Sequence, residues 1–237
     1  MNKVPLLVLV GGLGTRMRRI YPDLPKFLIP IDEKKFADYW LDSLDNSCIS
    51  QIYFLVSYKA EMIIDYLKKK ELSIPYTIIN EGDKPLGTGG AIKNALQKIK
   101  DDSFFLTYGD TILSLDWNRM LDIHLKNSSS LTFSIFKNEG LTDQSNIYID
   151  NGKIYYDKFW RSTKMKYIEY GLSLINKKDF IRSTKYVDKF DLSSWFTYTS
   201  LCYKNITYLM ANKEYFEIGT EKALENFRDS YKQFSQF

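Results

Sequence analysis

Residues 11–26 concentrate the groups best suited to gripping phosphate. Gly11-Gly12-Leu13-Gly14-Thr15-Arg16 follows the uncharged run Leu6 to Val10, and Pro25-Lys26 comes soon after. Closely spaced glycines allow a sharp turn and let backbone lie against a ligand with no Cβ between them. Successive N–H groups in such a turn face inward and form an anion-binding nest. Arg16 adds a planar, permanently charged fork, and Lys26 adds a compact point charge. The chemistry this points to is capture of a nucleotide's phosphates. Two familiar glycine loops do not match. A Walker-type loop ends in Gly-Lys-Ser/Thr, whereas Met17 follows Arg16 here. A dinucleotide fingerprint needs a further glycine where Met17 stands. The plainer alternative is a glycine turn carrying a solvated arginine.

A second glycine-rich stretch runs Glu81-Gly82-Asp83-Lys84-Pro85-Leu86-Gly87-Thr88-Gly89-Gly90-Ala91. Pro85 stiffens it, and Gly87, Gly89 and Gly90 let backbone approach a flat ligand such as a base. Glu81 is placed to supply one reading side chain. The alternative is a helix start that needs glycine only to turn. Tyr108-Gly109-Asp110 closes an apolar run, so Asp110 would hang over the phosphates, where a carboxylate holds Mg²⁺ through one or two oxygens. Its plainer role is a helix cap. The chain has a single histidine, His124, in a helical stretch remote from these motifs, which argues against a Ser-His-Asp triad.

The elements that must position these groups follow from hydrophobic periodicity. Leu6–Val10, 51–56, Pro75–Asn80 and Ser103–Tyr108 read as buried strands, alternating with helices over Phe36–Leu44, Ala60–Lys70 and Gly89–Lys100. Alternation of this kind predicts right-handed crossovers and a mostly parallel sheet, with ligands at the carboxyl ends of its strands. The glycine loop, Glu81 and Asp110 all fall at such ends. Beyond Asp116 the strand-like runs shorten and crowd: 131–136, 146–149, 153–158 and 167–175. Asp150-Asn151-Gly152 between two of them is a hairpin signal. This half reads as a smaller antiparallel or mixed region flanking the sheet, closed by strands at 206–210 and 215–218 and a helix at 221–233. The fold class is α/β: a Rossmann-like, mostly parallel sheet flanked by helices. Residues 1–237 form one domain, with a nucleotide-binding half over 1–116 and a second half over 117–237.

The loop and the lysine together resemble the signature of sugar-1-phosphate nucleotidylyltransferases. The Pro85-to-Ala91 wording is closest to the heptose, mannose and muramic-acid branches, and the resemblance as a whole is nearest to the heptose and mannose 1-phosphate guanylyltransferases. The resemblance implies that Val10, Gly11, Gly12, Gly14 and Thr15 cradle a nucleoside triphosphate, and that Glu81, Pro85, Gly87, Thr88 and Gly89 meet its base and ribose. It implies catalytic roles for Arg16 and Lys26. It gives Asp110 a Mg²⁺ ligand role, with Glu217 in Phe216-Glu217-Ile218-Gly219-Thr220 standing where the family has Asp. On the acceptor side it implies Tyr108, Lys158 in Asp157-Lys158, and Glu169 and Gly171 in Glu169-Tyr170-Gly171, where the family has Asn-x-Gly. Asn146, just before a strand, is read as facing the same acceptor.

The implied reaction is attack by a sugar 1-phosphate oxygen on the α-phosphorus of a nucleoside triphosphate, with pyrophosphate leaving. That oxygen is already ionised near neutral pH, so no general base is needed. The partners expected are the triphosphate and the sugar 1-phosphate, and the cofactor is Mg²⁺. Guanylyl transfer is the leading expectation, with uridylyl and cytidylyl transfer open. A binding subunit without catalysis is the rival from another class, favoured by Glu217. A glycosyltransferase would instead carry an Asp-x-Asp motif. The net charge of +4 suits small anions and does not argue for nucleic acid. Cys48 and Cys202 lack metal or redox spacing, and no run is long and apolar enough for a membrane. A cytoplasmic protein is expected. Its assembly stays open, a homodimer included.

Overall fold

The computed structural model describes residues 2–44, 47–82, 86–138 and 144–234, with 231–234 described by backbone alone. The first half runs β1 (Val4–Leu9), β2 (Pro30–Ile31), β3 (Lys34–Lys35), α1 (Phe36–Asp42), β4 (Ile49–Val56), α2 (Ala60–Lys68), β5 (Tyr76–Asn80), α3 (Gly87–Ala95), β6 (Ser103–Tyr108) and β7 (Thr111–Ile112). The second half adds α4 (Trp117–Lys126), β8 (Leu131–Lys137), β9 (Ile147–Asp150), β10 (Lys153–Tyr156), β11 (Tyr167–Asn176), α5 (Lys177–Ser183), α6 (Leu192–Cys202), β12 (Ile206–Ala211), β13 (Phe216–Glu217) and α7 (Glu221–Phe234).

β1 is the axis of the sheet. It pairs in parallel with β4 on one side and β6 on the other, and β4 pairs in parallel with β5. Its apolar run has a physical reason. Side chains alternate across a strand, so Leu6 and Val8 enter one core while Leu7 enters the other. All three are fully buried, and each contributes about 1.5–3 kcal/mol of burial. Helices α1, α2, α4 and α7 cover the first core, and α3, α5 and α6 cover the second. The result is a three-layer α/β/α arrangement.

The second half continues the same sheet. β11 pairs antiparallel with β6 over Leu172–Asn176, so the order runs β10-β9-β11-β6-β1-β4-β5, with β8 on β11 and β12 parallel to β8. The antiparallel strands expected as a flanking region are thus joined edge to edge to the parallel ones. A two-stranded pair, β13 with β7, brings the late segment Phe216–Glu217 back to the end of β6. Among the described residues, no helix is long and apolar enough to cross a membrane.

Candidate functional site

The carboxyl ends of β1, β4, β5 and β6 open onto one cleft of about 380 Å³. At its centre Val10, Gly11, Gly12 and Gly14 form the floor. The turn is made at Gly14, whose φ is +59° and whose carbonyl accepts from the N–H groups of Met17 and Arg18. Met17 is buried and anchors the loop to the core. A Cβ on Gly14 would lie 3.1 Å from Lys26 Cγ, so the lysine stem rests directly on the loop.

Lys26 is held from the next residue. Phe27 is buried, with its ring edge-on to Trp40 at 5.7 Å and to Tyr66 at 6.4 Å. With that backbone fixed, Lys26 Nζ reaches Asp110 Oδ2 at 2.9 Å. Asp110 owes its position to Gly109: a Cβ there would come within 2.2 Å of Val10 Cγ1, so only glycine lets the end of β6 pack this closely on β1. The Asp110 carbonyl accepts from Ile218 N–H at 3.1 Å, and Glu217 pairs with Thr111 on the adjoining strand. The two expected metal carboxylates therefore sit on neighbouring backbone, but only Asp110 lines the cleft; Glu217 is absent from its lining.

Arg16 and Thr15 do not line this cleft; with Arg19 they form a shallow recess beside it. A Cβ on Gly219 would lie 3.2 Å from Arg16 Nη2 and 3.3 Å from Glu217 Oε1. The Arg16 guanidinium thus stands beside Glu217, at the rim.

The other end of the cleft is lined by Glu81, Gly87 and Thr88. Burial pushes the Glu81 carboxyl above its ordinary range. Thr88 Oγ1 accepts from Leu192 N–H at 2.8 Å. Gly89 faces the opposite way. Its N–H donates to the Phe190 carbonyl, and a Cβ on it would strike the Phe190 ring at 2.1 Å. This glycine serves packing of the 188–191 segment. α3 starts two residues earlier than its sequence pattern suggests, which brings Gly87 and Thr88 into the helix. Pro85 lies outside the described residues.

Beyond Tyr108, which lines the cleft, lies a second group of polar residues. β11 breaks register with β8 between Glu169 and Ser173, and Gly171 sits there at φ +103°. The bulge turns Gly171 N–H onto Glu169 Oε1 at 2.9 Å, while Asn146 Oδ1 accepts from Glu169 N–H at 2.9 Å. Burial pushes the Glu169 carboxyl up to about 7, against the pull of the Gly171 N–H and the Lys158 charge. Burial also raises the Tyr108 hydroxyl, and the Glu169 charge adds to it. Lys158 itself is exposed. Asn146, Lys158, Glu169 and Gly171 are absent from the lining of the main cleft and form an annex behind Tyr108.

Ser57 and Asp191 also line the cleft, and neither belongs to a motif visible in the sequence. Ser57 follows β4, so the rule that ligands meet strand ends would have found it. Asp191 opens α6, and an Asp before an apolar run is a helix-start signal. His124 lies away from all of this. It is buried, with Ser103 Oγ at 3.2 Å from Nε2 and Thr132 Oγ1 at 2.9 Å from Nδ1.

A cleft at the carboxyl ends of parallel strands, floored by glycine backbone and fronted by a lysine–aspartate pair, defines an α/β protein with its ligand cleft at the strand ends and a floor suited to an anion. Known proteins narrow that class. The family model "Nucleotidyl transferase" matches residues 6–146, and the chain belongs to that family. It is 38% identical over 131 residues to the D-glycero-alpha-D-manno-heptose 1-phosphate guanylyltransferase of Aneurinibacillus thermoaerophilus, covering 54% of this chain and 56% of that protein. It is 40% identical over 116 residues to the enzyme of the same name from Campylobacter jejuni, covering 48% and 51%. The matched stretch thus spans about half the length of these curated relatives. The crystal structure of HddC from Yersinia pseudotuberculosis superposes with a TM-score of 0.81 at 26% identity, covering 96% of this chain and 99% of that one. HddC has also been solved complexed with GMP-PN.

Proposed function

We propose that this chain transfers a guanylyl group from GTP to a sugar 1-phosphate, releasing pyrophosphate. The acceptor we favour is D-glycero-D-manno-heptose 1-phosphate or mannose 1-phosphate, and the product would feed surface polysaccharide synthesis. The observation that carries the reading is one cleft shared by the glycine loop, Lys26 and Asp110, with a polar annex adjoining it through Tyr108.

On this reading the loop amides hold the β- and γ-phosphates, assisted by Arg16 at the rim. Lys26 moves from Asp110 to the α-phosphate and the incoming acceptor phosphate. An acceptor oxygen attacks the α-phosphorus in line. The bond to the bridging oxygen breaks, and pyrophosphate leaves with the electron pair. Positioning and charge neutralisation supply the rate. Lys158 fixes the acceptor phosphate, and Glu169 takes hydrogen bonds from sugar hydroxyls, which a carboxylate accepts readily. Asp110 and Glu217 would hold Mg²⁺. Two hard oxygen donors suit an ion that keeps its other positions for water and phosphate oxygens. When bound, the ion neutralises phosphate charge.

The test is Mg²⁺-dependent pyrophosphate release measured across four nucleoside triphosphates and a set of sugar 1-phosphates. The largest kcat/KM is expected for GTP with a manno-configured heptose or hexose 1-phosphate. Highest activity with UTP or CTP would move the base assignment, and no release in any combination would end the reading.

A further inference from the structure

We propose that Asp191 reads the base, accepting hydrogen bonds from the N1–H and N2–H₂ edge of guanine. The proposal rests on the guanylyltransferase reading and adds a residue to it from the half of the chain otherwise given to the acceptor.

Three observations carry it. The first is location. Asp110 follows β6 and Glu81 follows β5, with β1 and β4 between them. Those three strand spacings separate the two cleft ends by about 14 Å at about 4.8 Å each. With phosphates at the Lys26–Asp110 end, the base falls near Glu81 and Gly87. Asp191 lines this same end, and a Cβ on Gly87 would lie 3.3 Å from its Oδ1.

The second observation is that, among the described residues, the carboxylate neither caps its helix nor forms an ion pair. Asp191 precedes α6 in the cap position, yet its side chain does not cap the helix. The first N–H of α6, that of Leu192, goes to Thr88 Oγ1 instead. The segment is nonetheless firmly placed: Phe190 exchanges backbone bonds with Leu86 and Gly89, and Lys93 Nζ donates to the carbonyls of Thr184 and Val187 and to Asp188 Oδ1. The residue is held by its backbone, and its side chain is left to face the cleft.

The third is chemical. Glu81 and Asp191 make this end acidic, and the described residues lining it include no cation. Guanine presents two adjacent donors on its Watson–Crick edge, which a carboxylate accepts together. Uracil and thymine present carbonyl oxygens on either side of a single N–H and would repel it. Cytosine and adenine each set a ring-nitrogen acceptor beside their amino group. A carboxylate at the base therefore selects guanine by attraction and rejects the others by leaving like charges facing.

The experiment compares GTP with ITP, which lacks only the N2 amino group, on the wild-type chain and on Asp191→Asn. Binding is measured by calorimetry, and pyrophosphate release is measured in parallel. The wild type is expected to bind GTP at least about tenfold more tightly than ITP, the range for losing one hydrogen bond to a charged group. Asp191→Asn is expected to bring that ratio near one, with a smaller loss for ITP than for GTP, because the amide oxygen still accepts from the N1–H that both bases carry but its NH₂ cannot accept from the N2 amino group. Equal losses for GTP and ITP, or an unchanged ratio, would overturn the assignment. So would a variant whose loss disappears with 2′-deoxyGTP, since that places Asp191 on the ribose. Should the binding ratio collapse as expected while neither the wild type nor the variant releases pyrophosphate, the base contact stands and the transferase reading fails. No binding of any nucleotide would overturn both. Far-ultraviolet circular dichroism and melting of Asp191→Asn control for folding.

Discussion

With both side chains partly solvated, the Lys26–Asp110 pair at 2.9 Å is worth about 1 kcal/mol or less. A lysine so weakly retained is free to transfer to phosphate, where it would act on the transition state. Lys26→Ala is therefore expected to lower kcat by about 10²-fold or more while changing GTP affinity only a few-fold. Single-turnover pyrophosphate release and GTP titration check this, and unchanged release would remove Lys26 from the mechanism. Glu169 makes a different kind of prediction. Its carboxyl titrates near 7 in the folded chain, raised chiefly by burial, against about 4.3 unfolded. The folded state therefore binds the extra proton between those values. The stabilisation is fully present below about pH 4 and is lost as pH rises through about 7. Glu169→Gln removes the charge and keeps an oxygen for Gly171 N–H. Its melting temperature should lie nearest the wild type at the lower of two pH values, about 4, and exceed it at pH 8. Parallel melting curves at the two pH values would show that the carboxyl is already solvated.

At the scale of elements, the clasp between the start of α3 and the 188–191 segment decides the shape of the base end. A Cβ on Gly90 would fall 2.4 Å from the Asp188 carbonyl oxygen, a backbone atom with little room to yield. Gly90→Ala is expected to cost about 1–3 kcal/mol by overpacking. It should appear as a lower urea midpoint at unchanged m-value, and a wild-type midpoint would mean the segment swings aside freely. The clasp also marks where the sequence stops being readable. The strands around β1 are legible because burial on two faces leaves uninterrupted apolar runs, and the glycine loop, Lys26 and Asp110 fall at their ends. α6 is not legible as a helix. Leu192-Ser193-Ser194-Trp195-Phe196-Thr197-Tyr198-Thr199 is poor in strong helix formers, and it is helical because Trp195 and Phe196 pack into the core. Asp191 is legible only as a helix-start residue, since nothing local marks its delivery to a cleft by contacts over a hundred positions away. The polar annex is half legible: the residue types are visible, but the bulge that turns Gly171 onto Glu169 depends on pairing with β8.

Across the whole molecule, the weld between the two halves is polar as well as apolar. His124 on α4 lies between Ser103 of β6 and Thr132 of β8, and Thr132 in turn meets Thr207 of β12 at 2.8 Å. A neutral imidazole satisfies this layer, with one nitrogen donating and the other accepting. An imidazolium would be a buried charge with two donors. Burial accordingly lowers the His124 pKa to about 4, against about 6.5 unfolded. Here the unfolded chain binds the extra proton, so stability is complete above about pH 6.5 and is lost as pH falls towards 4, by up to about 3 kcal/mol. This slope has the opposite sign to that of Glu169, so the pH profile of the wild type alone mixes the two. His124→Gln separates them, because it keeps a donor and an acceptor but cannot titrate. Denaturant melts at pH 7.5, 6.5, 5.5 and 4.5 should show the wild type falling relative to the variant only below about pH 6.5. If the gap between them stays constant over that range, the imidazole is reached by water, and the layer joining β6, β8 and β12 is open to solvent.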